Sequence, residues 1–166
     1  MFRFTFIYIL LPAIISAQLS FFISDKSGAG KHNIYNSHKT VKRLNSKINF
    51  KTEPTLFNYS LNLTKSIFLD YPVIHYLMVL NHEYYGHYAA FKEISTVTPV
   101  NFHVDLPPPY GKGSGYASYL YSRLSYDEAL WINFSGVNTN LDLSNTIIKE
   151  NFVNGNLDKY DFLLQQ

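Results

Sequence analysis

The residues with the clearest chemical potential are His82, Glu83 and His87, which lie in the run His-Glu-Tyr-Tyr-Gly-His. On a helix, the pattern H-E-x-x-H places two histidines on one face, where both can bind one zinc ion. The glutamate then serves as a general base toward the zinc-bound water. This chain has the pattern H-E-x-x-x-H, which is one residue longer. The chemistry therefore depends on how the helix accommodates that residue.

The spacing of five allows two arrangements. On a regular helix, His82 and His87 would diverge by about 140° around the axis and could not share one ion. A π-turn, which is one residue wider, would return them to one face, and Gly86 favours it because glycine is costly inside a helix. Alternatively, a regular helix would pair Glu83 with His87 at i and i+4. That pair could also bind a metal, but it would leave no glutamate as base.

Further metal ligands must be His, Asp or Glu, because the chain has no cysteine. Asp142 is the best remaining carboxylate for a third ligand. His75 precedes His82 by about 10 Å along a helix axis, too far to share an ion, so we expect a buried, hydrogen-bonded histidine. His103 lies on the polar face of a predicted strand and is expected to be exposed.

Bulk composition limits the class of protein. The chain has 166 residues and a formal net charge of +2, which suits one domain and gives no reason to expect nucleic acid as a partner. Aromatic residues make up 17% of the chain. That content suits a membrane interface or a tightly packed core equally well.

The first part of the chain divides into two segments. Residues 4–24 carry no charge, so segment 1–24 is either a signal peptide, cleaved after Ala17, or a retained membrane span. Segment 25–55 is rich in lysine, which favours the cytoplasmic side of a membrane and argues against export. We predict that segment 25–55 is a basic loop and that 56–166 form a helical domain.

The predicted elements of that domain are mainly helical. A helix from about 71 to 94, starting at Asp70, is long enough to cross or nearly cross a membrane and is apolar on most sides. Residues 100–104 alternate as a strand, and a second strand or a short helix follows within 117–124. Ser125 and Glu128 form a capping box before a third helix. The expected fold is mainly α, with about three membrane-embedded helices and a short strand pair between the second and third.

These pieces together resemble the site-2-protease-like intramembrane zinc metalloproteases. The resemblance covers residues of about 70–148 and rests on the order of short motifs. These are His82-Glu83, Gly86-His87, Ala89-Ala90 and Lys92. They are followed by strands, by a turn that contains glycine, and by a helix with Gly136 and Asn138. The family's third ligand is an aspartate in an L-D-G context. This chain has Leu141-Asp142-Leu143 instead and also departs from the family in the histidine spacing.

The resemblance implies a membrane-located zinc metallopeptidase that hydrolyses peptide bonds through metal-activated water. His82 and His87 would hold the Zn²⁺ and Glu83 would be the base. The substrate would be a membrane-tethered or unfolded polypeptide lying beside residues 100–104. The alternative is a catalytically inactive membrane or secreted scaffold that keeps a degraded metal motif. A soluble exported metallohydrolase is a third possibility if the mature chain begins at Gln18.

Overall fold

The computed structural model describes residues 26, 28–48, 55–94, 100–155 and 159–164. Helices dominate, and one two-stranded sheet is present among these residues. The helices are α1 (Gly30–Ile48), α2 (Leu56–Lys65), α3 (Tyr71–Leu80), α4 (Ala89–Ile94), α5 (Tyr126–Asn154) and α6 (Lys159–Leu163), and the strands are β1 (Asn101–Val104) and β2 (Gly115–Ser118). The predicted signal peptide or membrane span, segment 1–24, lies outside the described residues.

Helix α1 occupies most of the segment for which the sequence predicted a basic loop. Its buried face is largely polar and includes Asn33, His38 and Asn45 beside Ile34. Each of these three polar side chains bonds to a residue on another element; for example, the Asn33 amide donates to the Tyr85 hydroxyl at 3.1 Å. A helix that buries amides and imidazole lacks the apolar periodicity by which helices are recognised in sequence.

A single helical run extends from α2 to α4 because two π-turns connect the three helices without a break. The first π-turn is Ser66–Asp70 and the second is Asn81–Tyr88. The predicted helix start at Asp70 is wrong, since the helix continues through that position. In the first π-turn the Tyr71 N–H donates to the Ser66 carbonyl, five residues back. This wider turn accommodates Pro72, which has no N–H to donate.

Helix α5 begins where the sequence predicted it. Ser125 accepts from the Glu128 N–H, and the Glu128 carboxylate accepts from the Ser125 N–H at 2.8 Å, so the capping box is confirmed. The helix ends at Gly155, which has a φ of 61°. Glycine adopts this left-handed conformation without the steric cost that a side chain would add.

Strands β1 and β2 form an antiparallel hairpin, with Phe102 opposite Ala117 and Val104 opposite Gly115. The strand predicted at 100–104 and its pairing partner are therefore confirmed, although β2 begins earlier than expected. Phe102 packs against the rings of Tyr84 and Tyr88 in the second π-turn, at centroid distances of 5.2 and 5.7 Å. This aromatic cluster anchors the hairpin on the helix that carries the histidines.

The expectation of membrane-embedded helices is wrong for the part of the chain that the structure describes. None of its helices is both long enough and apolar enough to cross a membrane. A span needs about 20 predominantly apolar residues. The apolar run 76–80 is followed directly by Asn81, His82 and Glu83, and Lys65 and Asp70 lie before it. The length of the predicted helix 71–94 and the apolar residues on most of its sides were therefore not sufficient to predict a membrane span.

The core lies where α1, α3 and the second π-turn meet the inner face of α5. Its buried members are Ile34, Ile74, Tyr85, Leu143, Ile147, Tyr160 and Leu164. The short C-terminal helix α6 is attached through consecutive polar residues. The Tyr160 hydroxyl donates to Asp70 at 2.8 Å, and Asp161 lies 2.8 Å from His38 and 2.9 Å from Lys42.

Adjacent isoleucines on α5 provide a matched test of this core. Ile147 is fully buried, whereas Ile148 is 51% exposed. We expect Ile147→Ala to lower the free energy of unfolding by about 2–5 kcal/mol, because it leaves a cavity. Ile148→Ala should change it by less than about 0.5 kcal/mol. Urea denaturation measures both, and equal effects would contradict the packing of α5.

Candidate metal centre

The second π-turn places His82 and His87 on one face of the helix. The Ala89 N–H reaches the Tyr84 carbonyl, five residues back, which is the bond that defines the wider turn. The two Nε2 atoms lie 3.1 Å apart, and the ring planes are inclined at 79°. The π-turn predicted from the spacing is therefore confirmed, and the alternative regular helix, with Glu83 and His87 at i and i+4, is not adopted.

Two glycines allow α5 to cross this turn at very short range. A Cβ on Gly86 would lie 2.5 Å from the Gly136 Cα, so any side chain there would collide with backbone. The turn and α5 therefore touch through backbone atoms. Glycine is normally unfavourable inside a helix, and its presence on both partners is explained by this contact.

Gly136 also lies directly against the two imidazoles, where a side chain would not fit. A Cβ at this position would lie 2.6 Å from His87 Nε2 and 2.7 Å from His82 Nε2. Two nitrogens bound to one tetrahedral zinc at ordinary Zn–N lengths are about 3.3 Å apart. The observed 3.1 Å separation is close to that value. The spacing of the pair thus fits a shared cation.

The ring of His87 is oriented by α5. Its Nδ1 lies 2.6 Å from the Ile132 carbonyl, which can only accept, so Nδ1 carries the proton and Nε2 presents a lone pair. This arrangement is typical of histidines that bind metals, in which a carbonyl or carboxylate fixes the other ring nitrogen. His82 Nδ1 lies 3.3 Å from the Asn140 amide.

Burial is the main reason that the pKa of His82 lies below its usual value. The neighbouring His87 lowers the pKa of His82 further, whereas Glu83 acts in the opposite direction. A lowered pKa favours the neutral imidazole, which is the form that binds metal ions.

Glu83 faces a small cleft beside the histidines. The cleft has a volume of about 180 Å³ and is lined by His75, Met78, Val79, His82, Glu83, Gly115 and Asn140. A Cβ on Gly115 would lie 2.7 Å from Glu83 Cγ, so glycine lets β2 lie directly against the glutamate. His75 on α3 connects this cleft to the loop between β1 and β2, because its Nε2 lies 2.9 Å from the Gly113 carbonyl. The expected hydrogen-bonded role of His75 is confirmed, although the residue is only half-buried.

The structure does not bring Asp142 to the histidine pair. Its side chain is 53% exposed and lies 3.5 Å from the Lys31 ammonium. Over the described ranges, no three His, Asp or Glu side chains are grouped so that they could hold a metal ion. His103 is exposed, as expected, and pairs with Asp105 at 2.8 Å. The site thus has two imidazoles and a nearby glutamate, without a third ligand in these ranges.

Three contributions to the site were not found from the sequence: the Ile132 carbonyl, the Asn140 amide and the close approach of Gly136 to the two rings. A backbone carbonyl leaves no trace in sequence, and Asn140 looks like any polar helix residue. Gly136 was noticed only as part of a family pattern. Its position in the interior of a long helix was the signal that another backbone approaches there.

Comparison with known proteins adds no independent assignment. No protein-family model, curated protein or solved structure matches this chain. The likeness to site-2-protease-like enzymes therefore stays a prediction from motif order. Any function given to the site rests on its geometry.

The crossing of the two glycines generates a direct prediction. We expect Gly86→Ala to lower the free energy of unfolding by about 1–3 kcal/mol or more, because the added Cβ must displace the α5 backbone. Asn138→Ala is the control, since it adds a helix-favouring residue at an exposed position on α5. Thermal denaturation measures both variants. A Gly86→Ala protein as stable as the parent would show that the helices do not cross here.

Proposed function

We propose that this protein is a zinc-dependent metallopeptidase-like hydrolase whose metal is held across the second π-turn. The observation that carries the proposal is the 3.1 Å approach of the two Nε2 atoms on a helix whose sequence spacing would otherwise separate them. Wide turns interrupt hydrogen bonding within a helix and are found frequently at functional sites. The adjacent glutamate and cleft extend the proposal from binding to catalysis.

His82 and His87 would hold the ion through their Nε2 atoms. A divalent zinc ion in this position would supply Lewis-acid chemistry, lowering the pKa of water and polarising a carbonyl group. The Ile132 carbonyl keeps the His87 lone pair directed at the shared position. The absence of a Cβ at Gly136 lets the two rings approach each other without a collision with α5.

Glu83 would act as the general base. It follows the first histidine directly and lines the same cleft as His82. Its carboxylate would accept a proton from water in the cleft as that water attacks a peptide carbonyl, and would then pass the proton to the leaving amine. A cleft of about 180 Å³ has room for a peptide group rather than for a folded substrate.

The substrate would be an extended polypeptide, either unfolded or tethered to a membrane. Within the described part of the chain, the two-stranded sheet leaves an unpaired edge on each of β1 and β2, and such edges bind extended peptides through main-chain hydrogen bonds. Gly115 in β2 lies against Glu83, so a peptide added to the hairpin would pass close to the base. A membrane location, or export after signal cleavage, stays a prediction that depends on segment 1–24.

A second candidate is a non-catalytic scaffold or binding protein that retains the metal pair. Catalytic zinc sites usually have three protein ligands, and the described residues supply two. Asp142, predicted as the third, is paired with Lys31 instead. Two ligands would bind zinc more weakly than three, and a site of that kind could serve binding alone.

Metal binding is the first test. We expect the purified protein to bind one Zn²⁺, or Co²⁺ as a spectroscopic substitute, in calorimetric and absorption titrations. His82→Ala and His87→Ala should each abolish this binding, because one imidazole cannot replace the pair. His103→Ala is the matched control, since His103 is exposed and lies on the hairpin. Equal binding by all four proteins would refute the site.

Glu83→Gln separates catalysis from binding. The amide keeps the size of the side chain but cannot act as a base, so we expect zinc affinity to change little. Cleavage of a denatured, fluorescently labelled protein should fall by about 100-fold or more. If the parent protein binds zinc but cleaves no polypeptide in this assay, the second candidate is correct and the hydrolase proposal fails.

A further inference from the structure

Two asparagines form a hydrogen-bond chain behind His82. The Asn81 amide nitrogen lies 2.8 Å from Asn140 Oδ1 and 3.1 Å from the Thr139 carbonyl. The Asn140 amide nitrogen in turn lies 3.3 Å from His82 Nδ1. Asn81 is fully buried, so this chain is shielded from water at its inner end.

This arrangement determines which nitrogen of His82 carries the proton. Because Asn140 Nδ2 donates, His82 Nδ1 must accept, and the proton of the neutral ring is therefore on Nε2. That proton points to the lone pair on His87 Nε2, 3.1 Å away. In this state the two imidazoles bond to each other, and His82 has no lone pair to offer a cation.

The same side chains have a second arrangement, in which each amide is rotated by half a turn. The oxygen and the NH₂ group of an amide are nearly equal in size, so the rotation causes no steric collision, although donors and acceptors exchange places. Asn140 Oδ1 would then accept from His82 Nδ1–H, and Asn140 Nδ2 would donate to Asn81 Oδ1. Among the described residues, Asn81 Oδ1 is now buried without a hydrogen-bond partner, so the rotation gives this acceptor a donor and moves the Asn81 NH₂ group into the position without one.

We propose that Asn140, assisted by Asn81, is a positioning residue that switches His82 between a closed, metal-free tautomer and a metal-binding one. The rotated amides hold the proton on Nδ1 and leave both Nε2 lone pairs directed at one position. The inference rests on the proposed metal site, but the control of the tautomer by Asn140 is independent of it. After the rotation Asn81 Oδ1 faces the Thr139 carbonyl, and this contact between two acceptors favours the closed arrangement when no metal is bound.

Two substitutions test this switch in opposite directions. Asn140→Asp places a carboxylate, which can only accept, beside His82 Nδ1 and should hold the ring in the metal-binding tautomer. Asn140→Ala removes the partner altogether, and alanine preserves α5 because it is the best helix former. Asn138→Asp is the charge control, since it adds the same carboxylate at an exposed position two residues away.

The first measurement needs no metal. Ring ¹⁵N chemical shifts of the full chain in a chelator distinguish a protonated Nδ1 from a protonated Nε2. We expect the proton of His82 on Nε2 in the parent protein and in Asn138→Asp, on Nδ1 in Asn140→Asp, and divided between the two in Asn140→Ala. If His82 has the same tautomer in all four proteins, the inference is overturned whatever the site binds.

The second measurement is the affinity for Zn²⁺ alone. Loss of a residue that orients a metal ligand typically weakens binding by 10-fold to 100-fold, and we expect a loss of about this size for Asn140→Ala. Asn140→Asp should bind zinc more tightly than both the parent and Asn138→Asp. If the His82 tautomer changes with the side chain at position 140 but no variant binds zinc, the control of the tautomer is supported and the metal site is refuted. If Asn140→Asp and Asn138→Asp bind zinc equally tightly, the added charge alone explains the affinity and the switch is overturned.

Discussion

The close crossing of the second π-turn over α5 is the contact on which the rest of the site depends. Gly86 and Gly136 meet through backbone atoms, and a methyl group on either residue would collide with its neighbours. The crossing gives His87 a carbonyl on α5 to bond and brings Asn140 within reach of His82. It also brings both Nε2 atoms against Gly136. The extra residue in the histidine motif is therefore part of the geometry that unites the pair, since the wider turn is what returns position i+5 to the face of position i.

Buried polar contacts attach the outer helices to this crossing. Helix α1 and helix α6 are joined through Asp161, which lies between His38 and Lys42, and Tyr160 links α6 to Asp70 in the first π-turn. Such groups are costly to bury unless they are paired, so they favour one arrangement of the helices over others that would leave them unsatisfied. The attachment reaches the site itself, because Leu164, directly after α6, lines a cavity with His82 and Asn140.

The sequence predicted features that depend on local chemistry. The five-residue spacing and Gly86 indicated the π-turn, and Ser125 with Glu128 indicated the start of α5. Features that depend on tertiary partners were missed. The sequence predicted a loop in place of helix α1 because the buried face of this helix is largely polar, with Asn33, His38 and Asn45, whose partners lie far along the chain. Asp142 was chosen as a ligand by elimination, and only the position of Lys31 shows why its carboxylate is directed elsewhere. Membrane-embedded helices were inferred from the length of the predicted helix 71–94 and from apolar residues on most of its sides, but none of the described helices is apolar over a whole span.

Anomalous diffraction at the zinc absorption edge, from crystals of the full chain grown with Zn²⁺, would show whether the second π-turn directs two imidazoles at one cation. We expect a single anomalous peak about 2.0–2.1 Å from the Nε2 atoms of both His82 and His87. A regular helix with the two rings facing apart, or a zinc peak bound to only one of them, would contradict it.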